Sequence, residues 1–211
     1  MSAREEIMGR VRSAVAGRHV PAHPGPLEAQ ASDAVARVPS GASGAVASDS
    51  LDLFARRFEE AGGEVVRIAG KEQAREWLRS FLRDFAGAAV SPLLPAGLLA
   101  EGDVTVLSPE EAPLGISFAA GAAATSGTLL LDSREGRRLQ LLPPTHLVLL
   151  DADTVSTTLS EALAARRGDL PSTLGLHSGP SRSADIGMVT VQGVHGPGRV
   201  IVLILEEKLP E

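Results

Sequence analysis

Three short segments hold the residues whose types and spacing could do chemistry. The first, Ser178-Gly-Pro-Ser-Arg-Ser-Ala-Asp-Ile186, joins an apolar run to a stretch that reads as a helix. A strand-to-helix joint of this kind offers unpaired N–H groups and the positive end of a helix dipole to an anion. Gly179, Ser181, Arg182 and Ser183 are therefore candidates for holding a phosphate or carboxylate. The plain alternative is that Ser181 or Ser183 caps the helix, with Asp185 favoured in its first turn by the dipole. The second segment, Gly193-Val-His-Gly-Pro-Gly198, sets His195 between glycines, where an imidazole could act as acid or base or be a plain surface residue, with Gly196 beside it as a ligand-binding candidate. The third, Thr125-Ser-Gly-Thr128, puts Ser126 and Thr128 around Gly127, which permits a tight bend or close approach of the backbone to a ligand and makes Gly127 and Thr128 ligand-binding candidates, the plain alternative being a hairpin.

Ser126, Asp185 and His195 stand in the chain order of an α/β-hydrolase triad, but the G-x-S-x-G elbow is missing. His146, His177 and His195 are far apart in sequence, and neither a zinc signature, a P-loop nor G-x-G-x-x-G occurs, so no metal ligands are assigned and the cofactor stays unknown.

The elements that must position these segments follow from periodicity. Residues 2–18 read as an amphipathic helix with Ile7, Met8, Val11, Ala14 and Val15 on one face, suited to docking on the body or on a second copy as a homo-oligomer. A linker rich in Pro, Gly, Ala and Ser fills residues 19–48. A single α/β domain spans 49–211. It opens with a helix carrying Leu51, Phe54, Ala55 and Phe58 that stops at Gly62-Gly63, then a strand over 64–69 and a helix from Lys71 carrying Trp77, Leu78, Phe81 and Phe85. Ala88–Ser91, Val104–Leu107, His146–Leu150 and Thr173–His177 read as strands, and Arg199–Leu205, spelled RVIVLIL, as a strand buried on both faces. Helices are expected from Asp151 to Gly168 and over Ser183–Gln192. Alternation of buried strands with helices predicts an open, mostly parallel sheet with flanking helices, and places the three segments at its carboxyl edge.

Composition narrows the class. With 20 Lys+Arg against 26 Asp+Glu the net charge is −6, and with one Trp and no Tyr the chain lacks the basic, aromatic surface of a nucleic-acid binder. The uncharged stretch Ala112–Leu131 is long enough to cross a bilayer, but its glycines, serines and threonines suit a strand, a turn and a second strand better. Glu5 and Glu6 near the start argue against a secretory signal, so a cytoplasmic protein is expected. The absence of cysteine excludes disulfides, thiol nucleophiles and any cysteine-held iron–sulfur cluster on this chain.

Gly115-Ile116, Ala124-Thr-Ser-Gly-Thr128, Leu141-Leu-Pro143 before His146, the 179–186 run and Gly193-Val-His-Gly-Pro197, taken in order, resemble the lactate-utilisation protein C family, or LUD domain, over roughly Leu51 to Glu207. The resemblance implies a fold like that of the ribose-5-phosphate isomerase, CoA-transferase and formyltetrahydrofolate cyclo-ligase group. It also implies a part in oxidation of L-lactate to pyruvate beside two iron–sulfur partner proteins. The family usually reads A-E-[ST]-G-T where this chain has Thr125, so any role of that glutamate is lost or moved. An accessory, non-redox subunit binding a small anionic metabolite fits both the resemblance and the missing cysteines. The alternatives are a stand-alone enzyme on a phosphorylated sugar, CoA thioester or folate-like substrate, and a non-catalytic metabolite-sensing module.

Overall fold

The computed structural model describes residues 3–16, 45–184 and 190–207. The chain divides between Gly41 and Ala42 into two units. Within the first lies helix α1 (Ala3–Val15), on which Ile7 and Met8 are exposed.

The second unit is built on a five-stranded sheet ordered β1 (Glu64–Ile68), β11 (Arg199–Leu205), β6 (Thr145–Asp151), β3 (Leu114–Phe118) and β2 (Ala89–Val90), with every pair parallel. The RVIVLIL strand lies between β1 and β6, and its side chains alternate between two cores. Val200, Val202 and Ile204 meet Leu51, Phe54 and Phe58 of helix α2 (Ala45–Glu60). Ile201, Leu203 and Leu205 share the opposite core with Ala74, Leu78 and Leu82 of helix α3 (Lys71–Leu82). The two apolar stripes read from the sequence are these two helix faces.

Four expectations are corrected. Helix α2 begins at Ala45, inside the stretch read as linker over 19–48. Val104–Leu107 forms only a single bridge, Val106 to Ala88. The helix expected from Asp151 starts late: β7 (Val155–Ser156) intervenes, and α5 (Leu159–Ala165) begins after Thr158, which makes a capping box with Glu161. The helix expected over Ser183–Gln192 is, at both its described ends, an antiparallel pair, β9 (Arg182–Ala184) with β10 (Thr190–Gln192). Asp185 and Ile186 lie outside the described residues.

A second sheet covers the α2 side. It is ordered β7, β4 (Gly121–Ala123), β5 (Thr128–Asp132) and β8 (Leu174–His177), with β5 antiparallel to both of its neighbours. Ala112–Leu131 is thus occupied by strands β3, β4 and β5. Among the described residues no helix is long and apolar enough to cross a membrane.

Candidate functional site

The structure draws the three motif segments into one strip. The Thr128 hydroxyl lies 2.7 Å from both Ser126 Oγ and Ser178 Oγ, which links the β4–β5 hairpin to the loop after β8. That loop is tied to the next segment by Ser181 N–H donating to the Pro197 carbonyl at 2.8 Å and Gly193 N–H donating to the Ser181 carbonyl at 2.9 Å. Gly127, at φ +57°, packs against the backbone of Arg57 and Phe58 near the end of α2, where a side chain has no room. Arg182 lays its guanidinium against Gly62, just past the same helix end.

The position of this strip corrects the expected placement. The N–H groups of Gly198 and Arg199 both donate to the Pro144 carbonyl, immediately ahead of β6 and β11. The 193–198 turn therefore sits at the amino edge of the parallel sheet, and the bonds above carry the other two segments there with it. β8, read as a further parallel strand, instead runs antiparallel to β5 in the second sheet and so delivers its loop to the opposite edge. Ser126, Arg182 and His195 are exposed, Ser181 and Ser183 half-buried, and Thr128 buried. The Ser126 hydroxyl is bonded to Thr128, and no Ser–His–Asp grouping is formed among the described residues.

The serine–histidine pair that does form is Ser117 Oγ with His146 Nε2, 2.7 Å apart between β3 and β6 and fully buried. Burial, then the neighbouring His177, holds the His146 pKa down to about 3, so the ring is neutral. Burial likewise lowers His177. Among the described residues no cluster of His, Asp and Glu is placed to hold a metal.

The carboxyl edge carries a different set of groups, which the sequence did not single out. A cleft of about 340 Å³ opens beside Phe118, Ala119 and Ala120 at the end of β3. Its charged wall is balanced internally: Arg134 bonds Asp132 and Asp169 at 2.8 Å each, and Arg166 bonds Asp169 at 3.1 Å. Burial raises the Asp132 pKa, but the bonds from Arg134 outweigh it and leave it lowered.

Next to this network lies Glu135, 3% exposed. Its Oε1 accepts from Phe118 N–H at 2.6 Å and from the Ser91 hydroxyl at 3.0 Å, tying together the ends of β3 and β2. Its Oε2 is enclosed with no partner in strict bonding geometry, but the Gln140 amide, which donates to the Asp132 carbonyl at 2.8 Å, also lies against the carboxylate and favours its ionised form. Burial pushes the carboxyl up to about 7, against the lowering effect of its hydrogen bonds. Glu135 lines a mostly apolar groove of about 360 Å³ between β2, the 106–109 segment and helix α4 (Arg137–Leu141). A glutamate within Ser-Arg-Glu-Gly-Arg-Arg reads as surface, and no local signal marks its burial.

The LUD domain model matches residues 107–205. Lactate utilization protein C of Bacillus licheniformis is 35% identical over 174 residues, covering 77% of this chain and 72% of that protein. The protein of the same name from Halalkalibacterium halodurans is 39% identical over 116 residues, and there the match spans 50% of the relative. A crystal structure of a DUF162-family protein from Deinococcus radiodurans shares the fold at a TM-score of 0.59 and 24% identity, over 76% of this chain and 98% of that one.

Proposed function

The chain belongs to the LUD-domain family of lactate utilization protein C, and from that premise we propose that it is an accessory, non-redox component in the oxidation of L-lactate to pyruvate. In this reading it works beside iron–sulfur partner proteins and holds a small anionic ligand at the carboxyl edge of its sheet. The similarity to lactate utilization protein C over 77% of the chain carries the reading. The missing cysteines agree with it, since cysteine-held clusters would have to reside on partners. So does the carboxyl edge, where open parallel sheets receive ligands and where the cleft beside Phe118, Ala119 and Ala120 opens. The amino-edge strip contributes exposed Ser126, Arg182 and His195 as the surface that meets a partner or ligand.

Affinity purification of the tagged chain from lactate-grown cells tests the reading. Co-purification of iron–sulfur proteins, seen by mass spectrometry and by visible absorbance of the eluate, is the expected result. Recovery of no such protein under lactate growth overturns it. A second reading, a metabolite-sensing module, draws on Glu135, a buried group that titrates near neutral pH beside an open groove.

A further inference from the structure

The cleft beside Phe118, Ala119 and Ala120 has on its wall a carboxylate held as a ligand carboxylate would be. Asp169 meets the Arg134 guanidinium fork on fork, with Nη1 donating to Oδ1 at 2.8 Å and Nη2 to Oδ2 at 3.0 Å, and Arg166 Nη2 donates to Oδ2 at 3.1 Å. All three residues line the cleft. The Asp169 side chain is nevertheless 61% exposed, and it belongs to the turn after α5, where residues 167–170 are all exposed. Arg134 is held from its other edge: Nε and Nη2 donate to Oδ2 of Asp132 at 2.8 and 2.5 Å, and Asp132 is buried at the end of β5. Of the two acids, Asp132 fixes the fork and Asp169 occupies it.

Among the described residues, the charged side chains lining the cleft are Asp132, Arg134, Arg166 and Asp169, which sum to zero. Withdrawal of Asp169 leaves one positive charge in excess, with donors of Arg134 and Arg166 directed at the place its oxygens held. A monocarboxylate restores the balance and remakes the same three bonds. A dicarboxylate adds a second negative charge that the two arginines and Asp132 leave unbalanced, and an ammonium group meets two guanidiniums. Apart from Thr154, the remaining lining is apolar, from Leu93, Phe118, Ala119 and Ala120, which suits a short hydrocarbon chain; the volume of about 340 Å³ is at the small end for a ligand cavity.

We propose that this cleft binds a short-chain aliphatic monocarboxylate in exchange for Asp169, whose own carboxylate otherwise takes the ligand's place on Arg134 and Arg166. The inference rests on the reading above for the expectation of a small anion at the carboxyl edge, and adds the site, the ligand class and the residue that competes for it. An intrachain carboxylate competes at an effective concentration of roughly millimolar or more. Binding to the wild type is therefore weak, and it requires the turn after α5 to release its acid.

Amide NMR titration of the full chain with sodium butyrate and with sodium succinate, at pH 7 and constant ionic strength, tests the proposal. Asp169→Ala removes the competing acid from an exposed turn and should bind butyrate at least about tenfold more tightly than the wild type, with shifts centred on Phe118, Ala119 and Ala120. Succinate, with the same number of carbons and a second charge, should bind that variant more weakly than butyrate. Adding Leu93→Glu, at a half-exposed side chain of the cleft wall, introduces a negative charge without touching the core and should undo the gain. Equal butyrate affinity in the wild type and Asp169→Ala, shifts centred elsewhere, succinate binding as tightly as butyrate, or no response of Asp169→Ala into the tens of millimolar overturns the proposal. Loss of the iron–sulfur partners in affinity purification would overturn the subunit reading and leave the butyrate result standing, and a failed butyrate titration leaves the partner result standing in turn.

Discussion

Ser117 and His146 share a hydrogen bond of 2.7 Å inside the parallel sheet, and the imidazole buried there is one of several groups whose titration the fold displaces. Glu135 is another, and its displacement opposes that of His146. Buried His146 resists protonation, so as pH falls below about 6.5 the unfolded chain gains a proton that the folded chain refuses, and stability drops. Glu135 holds its proton up to about 7, so as pH rises through 4.5 the unfolded chain loses a proton that the folded chain keeps, and stability again drops. Each full slope is about 1.4 kcal/mol per pH unit, and between roughly pH 4.5 and 6.5 those of His146 and Glu135 offset each other, leaving the same-signed slope of His177, also lowered by burial. The wild-type urea midpoint should therefore rise only gently with pH over that window. Glu135→Gln removes the opposing slope and should rise more steeply across it; a Glu135→Gln profile parallel to the wild type would contradict the Glu135 assignment.

Gly127 and Gly102 both adopt positive φ, but only Gly127 abuts another backbone. A Cβ at Gly127 would sit 2.7 Å from Phe58 N and 2.8 Å from Arg57 C, whereas one at Gly102 meets nothing within 4 Å. Gly102→Ala should cost only the left-handed conformation, about 1 kcal/mol. Gly127→Ala should cost at least ~2 kcal/mol and lower Tm by several degrees, because the hairpin must move off α2. Equal melting of the two variants would mean that the hairpin does not lean on the helix.

Much of the architecture was legible because the buried strands and both helix faces carry strong periodicity. RVIVLIL reads as a strand buried on both faces, and it lies between two strands with a core on each side. Pairing partners were not legible. Nothing local in Thr173–His177 says that it runs antiparallel to β5, and that single fact moves the Ser178–Ser183 loop from the carboxyl to the amino edge. The cap-like Ser-Ala-Asp run suggested a helix, but strand pairing of Arg182–Ala184 with Thr190–Gln192 overrode it. The motif segments were found without their location. Glu135 was missed because tertiary burial, not its neighbours in sequence, sets its chemistry.

Asp132 anchors the carboxyl-edge charge network. It accepts from the Arg134 backbone at 2.7 Å and from that guanidinium, while Arg166 stands 3.7 Å away. Asp132→Asn keeps one acceptor oxygen and loses the charge. Since the Arg134 side chain is 46% exposed and screened by water, the loss at pH 7 should be only roughly 2 kcal/mol. The Asp132 pKa is lowered in the fold, so its contribution is present above the unfolded value and fades as pH falls through the folded one. The gap between wild type and variant in chemical denaturation should therefore close in acid; a gap that is constant from pH 7 down to pH 3 would assign the loss to packing instead.

Thr128 joins the hairpin to the loop after β8 through a hydroxyl 2.7 Å from Ser126 and from Ser178. Thr128→Val keeps the shape of a buried side chain and removes both bonds, while the exposed serines regain water. The expected loss is about 1–2 kcal/mol, with faster amide exchange concentrated in β5 and β8. His195→Ala, at an exposed turn, should leave stability within about 0.5 kcal/mol of wild type. The pair separates two roles for the amino-edge strip. If the strip only knits strands together, Thr128→Val alone has a phenotype. If it also meets a partner, His195→Ala weakens recovery of iron–sulfur proteins in affinity purification while melting like the wild type. Unchanged recovery in His195→Ala would remove this histidine from the interface.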